Sequence, residues 1–257
     1  MTALETMFSL QGRVALVTGG SRGLGVALAE ALASAGAHVV LAGRDRDALE
    51  ANAAAIRDRG GSASTAAFDV TDEAAAAAAV AGTVRERGRL DILVNNAGLA
   101  RRGAFEQYTS EDWRYVVDVN LNACFYLARE AAKPMLARGY GRIINIASIA
   151  SFIARPTIAP YIATKHALAG LTKAMAVEFA ARGITANAIA PGYFVTDLTR
   201  HLAADPAFNG WLTARTPAAR WGEPHELGGA VVFLASPASA YVNGHILTVD
   251  GGMTASM

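Results

Sequence analysis

Tyr161 and Lys165 stand four residues apart in Pro160-Tyr161-Ile162-Ala163-Thr164-Lys165, a segment with the pattern of a helix start. On a helix, positions i and i+4 share a face, so the phenol and the ammonium group project together. A free tyrosine, with a pKa of about 10, is a poor base at neutral pH. A nearby cation stabilises the phenolate and lowers that value, which is the tuning that general acid–base work needs. Two unrelated surface residues would also give this spacing. The chain has only three lysines against twenty arginines, so a lysine at this point is less easily an accident.

Other polar residues fall where they can join this pair. Ser148 follows a predicted strand, Arg142–Ala147. Asn95 and Asn96 follow another, Asp91–Val94. Both places are carboxyl ends of strands, the edge at which doubly wound sheets bind ligands. Asn120 lies in the apolar setting Val116-Val117-Asp118-Val119-Asn120-Leu121. A buried asparagine inside a helix needs partners, and this one is placed to hold a water beside Lys165.

The elements that must position these groups alternate. Strand-length apolar runs occur at Arg13–Thr18, His38–Ala42, Ser64–Phe68, Asp91–Val94, Arg142–Ala147, Thr185–Ala190 and His245–Val249. Helical patterns lie between them: Leu24–Ala35, one capped by Asp45 and running to about Arg59, an Ala-rich one capped by Thr71, Glu111–Arg138, Pro160–Arg182 and Pro224–Ala235. Short buried strands joined by crossover helices predict a doubly wound Rossmann-type parallel sheet of about seven strands, with helices on both faces, in a single domain spanning 1–257. Residues 192–222 are too long for a routine connection and are expected to fold over a substrate as a lid, anchored by Phe208 and Trp211. Trp221 is expected to pack at the base of the next helix, and His201 to sit on a solvated helix.

The first strand runs into Thr18-Gly19-Gly20-Ser21-Arg22-Gly23-Leu24-Gly25 and then a helix. Such a turn lets backbone approach phosphate, and the helix N-terminus adds amide donors and a positive field for a pyrophosphate. The spacing is Gly19-x3-Gly23-x-Gly25 rather than G-x-G-x-x-G. After the second strand, where an acidic residue commonly receives the ribose of NAD, this chain has Gly43-Arg44. Arg22 is a second cation on the same side. Two guanidinium groups suit a 2′-phosphate, so NADP(H) is preferred and NAD(H) is possible. In the alternative, both arginines are solvated, or Asp45 receives the ribose. Asp69, after the third strand, either accepts from an adenine amino group or caps the following turn.

Composition narrows the field of partners. Hydrophobic residues make up 53% and charged residues 18%, with a formal charge of +1. That balance favours a large core over disorder and gives no bulk reason to expect nucleic acid or an anionic membrane. Cys124, the one cysteine, lies in an apolar run and is expected to be buried filler. Met1 to Leu10 lacks the pattern of a secretory signal and no apolar run approaches the about 20 residues of a membrane span, so the chain reads as soluble and cytoplasmic. No metal is expected.

Taken together, Thr18–Gly25, Asn95-Asn96-Ala97-Gly98, Asn120, Ser148, Tyr161-x3-Lys165 and Pro191-Gly192 are similar, in order and spacing, to the short-chain dehydrogenase/reductases over essentially the whole chain. The resemblance implies catalytic roles for Asn120, Ser148, Tyr161 and Lys165. It implies a nicotinamide cofactor held by Gly19, Ser21, Arg22, Gly23, Leu24, Gly25, Arg44, Asp69, Val70, Asn96, Ala97, Gly98, Tyr161, Lys165, Pro191, Gly192, Phe194 and Thr196. It also implies a homotetramer built through the long fourth and fifth helices.

A narrower resemblance, to the gluconate 5-dehydrogenase group, lies in Phe8–Gly20, Asn95–Arg102, Ala190–Thr196, Arg215–Pro224 and Val242–Met253. It implies hydride exchange between a secondary alcohol and its ketone, with gluconate and 5-ketogluconate as the pair. Arg101, Arg102 and Arg155, on loops at the active edge, then offer forks for the carboxylate, while Ser148 and Tyr161 meet the reacting oxygen. Ordinary surface arginines fit the same positions. Reduction of 3-oxoacyl thioesters or another sugar or ketone, and a cofactor-binding regulator without turnover, are the other readings.

Overall fold

Residues of the first strand alternate between two cores. Val14 and Leu16 pack into one, Ala15 and Val17 into the other, because successive side chains of a strand point to opposite faces. The same division runs across seven parallel strands of a computed structural model that describes residues 2–197 and 199–256. Met1 of the opening segment and Leu198 of the expected lid lie outside them. The strands are β1 (Val14–Thr18), β2 (His38–Gly43), β3 (Ser62–Ala67), β4 (Ile92–Asn95), β5 (Gly141–Ile146), β6 (Ile184–Pro191) and β7 (Ile246–Val249). Their order is β3-β2-β1-β4-β5-β6-β7.

The helices are α1 (Ala3–Phe8), α2 (Leu24–Ser34), α3 (Arg46–Asp58), α4 (Glu73–Arg87), α5 (Ser110–Val117), α6 (Ala123–Arg138), α7 (Ala159–Phe179), α8 (Arg200–Ala203), α9 (Pro206–Arg215) and α10 (Gly228–Ala235). Leu28 and Leu32 of α2, Leu49 of α3 and Leu234 of α10 fill one core; Val80 of α4, Leu127 of α6 and Met175 of α7 fill the other. Each fully buried leucine contributes about 1.5–3 kcal/mol of transfer free energy. The result is one doubly wound domain. Its strand order turns back between β1 and β4, where the carboxyl ends open the crevice that binds ligands in this architecture. At the opposite edge, the buried Asp91 carboxylate accepts from Arg89 Nε (2.6 Å) and Val14 N (2.9 Å), tying β4 to β1.

Several elements differ from the sequence reading for identifiable reasons. The opening residues form α1, closed by a capping box in which Thr2 and Glu5 satisfy each other's backbone amides. The third strand begins at Ser62 rather than Ser64, extended where the His38 ring bridges Ser62 Oγ (2.7 Å) and Ser64 Oγ (2.9 Å). Asp72, not Thr71, caps α4 by accepting from Ala75 N, while Thr71 donates its hydroxyl to Asp69. The single helix expected over Glu111–Arg138 is interrupted by a π turn, Asp118–Asn122. Within 192–222, α8 and α9 replace much of the irregular chain; Asp205 caps α9 ahead of Pro206, a start signal present in the sequence.

Burial and Arg87 hold the His38 imidazole down at about 4, well below the ordinary histidine value of 6.5. The unfolded chain therefore binds an extra proton first, so His38 supports the fold above pH 6.5 and loses that support as pH falls towards 4. The melting temperature should decline over this window, and decline less in His38→Gln. Equal slopes would show that His38 is not a source of the pH dependence.

Candidate active site

Everything at the nucleotide end is built around Thr18, the last residue of β1. Its Oγ1 accepts from the amides of Asn96 (3.0 Å) and Ala97 (3.1 Å), and Asn96 Nδ2 donates back to the Thr18 carbonyl (2.9 Å) and to that of Gly19 (3.3 Å). These bonds clamp the Asn96-Ala97-Gly98 loop against the glycine turn. From α3, Asn52 Nδ2 donates to the carbonyls of Gly20 (3.2 Å) and Ser21 (3.0 Å) and braces the other side. Gly23 has φ +61° and leads directly into α2. A Cβ on Gly25 would overlap the Gly19 carbonyl oxygen. The turn is thus shaped as a cradle whose inner wall is backbone, which fits the pyrophosphate of a dinucleotide.

At the ends of β2 and β3, Arg44 Nη1 lies 3.6 Å from Asp69 Oδ2, both groups well exposed. Burial works against the Asp69 charge, but the Thr71 amide and hydroxyl and the Arg44 guanidinium outweigh it and hold the carboxyl below its usual range. Asp69 therefore does cap the turn at Thr71, one of its two expected tasks, with Val70 buried next to it. Arg22 is exposed in the glycine turn.

The chemical end lies beyond β4 and β5. Ser148 is buried, and its Oγ accepts from Ala150 N (3.1 Å), which leaves the hydroxyl proton for another acceptor. Lys165 is buried as well. Its Nζ donates to the Ile146 carbonyl (2.7 Å) and sits 5.5 Å from the centroid of the Tyr161 ring. Two ammonium protons remain for further partners. Tyr161 and Lys165 do share a face of α7, and Ser151 Oγ donates to the Lys165 carbonyl (2.8 Å), tying that turn to the Ser148 loop.

Asn120 falls in the π turn. Its Nδ2 donates to the Leu99 carbonyl (2.9 Å) and Thr164 Oγ1 (3.2 Å), and its Oδ1 accepts from Leu99 N (2.9 Å). The amide thereby braces the loop after β4, a duty the sequence did not reveal. The Cβ position of Gly98 lies 3.4 Å from Asn120 Oδ1 and 3.7 Å from Lys165 Nζ, so both groups border one space. Cys124 Sγ donates to the Asn120 carbonyl (3.4 Å), and burial pushes its thiol up to about 11, as suits inert filler.

Asn95 parts from its neighbour. It is fully inside, donating to Asn145 Oδ1 (2.9 Å), and Asn145 donates to Thr172 Oγ1 (2.8 Å), a polar string that fixes α7 to β4 and β5. Pro191 ends β6, and Gly192 just after it donates its N–H to the Val249 carbonyl. The buried Phe194 and Gly222 form an isolated bridge, and Thr196 is held by Thr199 Oγ1.

The three arginines separate. Arg101 turns to α5, near Asp112 (3.8 Å) and over the Tyr115 ring; Arg102 is exposed; Arg155 reaches Tyr193. His201 is exposed on α8, as expected. Trp221 is buried against Tyr193 and Phe208, its indole donating to Asn209 Oδ1 (2.8 Å). Neither Tyr193, Asn52 nor Asn145 was singled out in the sequence. Tyr193 was findable, since it directly follows Pro191-Gly192.

A backbone cradle and a tyrosine–lysine pair at the carboxyl edge of a doubly wound sheet suit a dehydrogenase or reductase. The family model described as enoyl-(acyl carrier protein) reductase matches residues 19–254. The chain belongs to the short-chain dehydrogenase/reductase family and is an oxidoreductase acting on CH–OH groups. It is 49% identical to gluconate 5-dehydrogenase of Gluconobacter oxydans over 98% of both chains. It is 43% identical to 5-keto-D-gluconate 5-reductase of Escherichia coli, over 97% of this chain and 98% of that one. The crystal structure of a gluconate 5-dehydrogenase from Burkholderia cenocepacia, in complex with NADP and tartrate, superposes with a TM-score of 0.96 at 48% identity, covering 99% of this chain and 100% of that one.

Proposed function

We propose that this chain interconverts gluconate and 5-ketogluconate with NADP(H). The observation that supports the substrate is the likeness, along nearly the whole chain, to relatives named for that pair. When bound, the nicotinamide supplies or accepts the hydride. Tyr161 gives its phenolic proton to the ketone oxygen in reduction and removes the hydroxyl proton in oxidation. Ser148 donates to the same oxygen. Lys165 holds the nicotinamide ribose and favours the phenolate, and Asn120 shares a water with it, continuing the proton path. The remaining cofactor contacts are those expected from the glycine turn, Asp69-Val70, Asn96-Ala97-Gly98 and the segment from Pro191 to Thr196. Part of 192–222 covers the substrate.

The test is NADPH oxidation with a panel of sugar ketoacids and 3-oxoacyl thioesters, repeated with NADH. Turnover of 5-ketogluconate well above the thioesters supports the reading; a thioester as the best substrate, or no turnover at all, overturns it.

Arg22 and Arg44 take the 2′-phosphate of NADP(H). A lost charge-assisted contact costs about 1.5–3 kcal/mol, so Arg44→Ala should lower the NADPH/NADH ratio of kcat/KM by about ten- to a hundred-fold. An unmoved ratio would remove Arg44 from phosphate recognition. No helix among the described residues is long and apolar enough to cross a membrane; a cytoplasmic homotetramer is the proposed working form. Exposed Phe125 on α6 and Val177 on α7 support burial of these helices between subunits, and light scattering gives the mass directly.

A further inference from the structure

We propose that Tyr108 and Thr157 are positioning residues for Tyr161: the Tyr108 hydroxyl holds the Thr157 backbone in the left-handed conformation from which α7 starts, and so fixes the turn that carries the phenol. This role rests on Tyr161 being the proton donor, as read above, and is independent of which ketone it meets.

Local sequence does not favour the start of α7 where it is found. Ile158, the residue before the helix, supplies no side-chain cap. Ala159 opens the helix although Pro160 follows it, a neighbour that disfavours helical backbone. Thr157 has φ +71°, a region where a β-branched residue is strained and glycine is at ease. Strain of this kind persists only where the surroundings enforce it. Tyr161 stands in the first turn of α7, only four residues beyond Thr157. A relaxed Thr157 would let that turn shift.

The enforcing contacts come from the loop after β4. The Thr157 carbonyl accepts from the Tyr108 hydroxyl (2.7 Å) and from Gly103 N (3.1 Å). The same hydroxyl reaches the Arg101 carbonyl at 3.0 Å, so one phenolic proton serves two acceptors and the nearer is Thr157. The start of this loop is held by Asn120, which bonds Leu99 N and the Leu99 carbonyl and also donates to Thr164 Oγ1 (3.2 Å). Thr164 in turn donates to the Tyr161 carbonyl (2.8 Å). Tyr161 therefore lies between two ties, at Thr157 and Thr164, to a single loop. The first sets the entry of its turn and the second the exit.

The test is a pair of substitutions. Tyr108→Phe keeps the ring and removes only the hydroxyl. With saturating NADPH, kcat for 5-ketogluconate, or for whichever ketone of the panel turns over fastest, should fall about three- to ten-fold, as one neutral hydrogen bond warrants. Kd for NADPH should stay within about two-fold, because the Asn96 clamp on Thr18 is untouched. Thr157→Gly lets the backbone take the same φ without strain. The loss caused by Tyr108→Phe should therefore shrink below about two-fold when it is measured in a Thr157→Gly background. A hydroxyl that only stabilised the fold would lower the melting temperature equally in both backgrounds and leave kcat uncoupled from residue 157.

Amide hydrogen exchange needs no turnover and separates this role from the reading of Tyr161. In the substrate-free protein, exchange over residues 159–165 should speed at least about three-fold in Tyr108→Phe and return towards the parent when Thr157→Gly is added. Parental exchange in Tyr108→Phe overturns the tie. Faster exchange with kcat within about two-fold of the parent, in a protein that Tyr161→Phe inactivates, overturns the positioning role, and so does an undiminished loss in the glycine background. Turnover that survives Tyr161→Phe overturns the reading of Tyr161 alone if exchange still responds to both substitutions.

Discussion

Tyr161→Phe should lower kcat/KM by about two to four orders of magnitude, the range a positioned general acid contributes, while NADPH binds as before. The substitution removes one oxygen. The ring that sits 5.5 Å from Lys165 Nζ stays, and so does the hydrogen bond from Thr164 Oγ1 to the Tyr161 carbonyl (2.8 Å). Ser148 keeps its bond from Ala150 N, so the setting of its hydroxyl is unaltered. What is lost is the proton source. Stopped-flow or steady-state assays with saturating NADPH, beside a fluorescence titration of the cofactor, separate chemistry from binding. Survival of more than about a tenth of the parental turnover, with cofactor affinity intact, would mean that another group moves the proton and that Tyr161 only shapes the site.

Gly25→Ala should be the most damaging single methyl in the protein for cofactor binding. The added Cβ would overlap the Gly19 carbonyl oxygen and come within 2.6 Å of Asn96 Nδ2 and 2.8 Å of the Gly19 carbonyl carbon. Two of these are backbone atoms that cannot swing aside, and the third is the amide that holds Thr18 and Gly19. Relief requires lifting α2 away from the turn, and overpacking of this kind costs about 1–3 kcal/mol of stability. The displaced amides would each lose a phosphate hydrogen bond, and two such losses at about 1–1.5 kcal/mol raise Kd for NADPH about thirty- to a hundred-fold. Gly229→Ala, in α10 with no atom within 4 Å of the new methyl, should instead leave NADPH affinity unchanged and raise the melting temperature slightly. Cofactor titration and thermal melts of the two variants check this. Near-parental NADPH affinity in Gly25→Ala would show that the turn can open without cost.

The strands and the residues at their carboxyl ends were legible because both rest on local signals. Apolar runs of strand length mark buried parallel strands, and a glycine turn or a polar residue just after one marks the active edge. The juxtaposition of Tyr161 and Lys165 was legible for the same reason: both lie on one helix, so a single period relates them. What stayed hidden depends on pairs distant in the chain. Asn95 and Asn96 are adjacent in sequence, yet one enters the core to meet Asn145 and the other clamps Thr18. No local pattern distinguishes them. Arg101, Arg102 and Arg155 looked alike until Asp112 and Tyr193 gave two of them different partners. The capping of α4 passed from Thr71 to Asp72 because Thr71 was already committed to Asp69. Trp221 meets Tyr193 and Phe208, aromatic partners from two other stretches that no local pattern ties to it.

The π turn at Asp118–Asn122 inserts one residue more than an uninterrupted α-helix would use. An α-helix advances about 100° per residue, so this extra residue acts as a shim between α5 and α6. It lets Asn120 grip Leu99 and Thr164 while both flanking helices keep their apolar sides on the core. Deleting a single residue here would let the helix run straight, improving its local hydrogen bonding, and would rotate one flank out of phase with the sheet. Chain length is therefore constrained in this helix, where the frame itself sets the grip of Asn120 on the loop after β4.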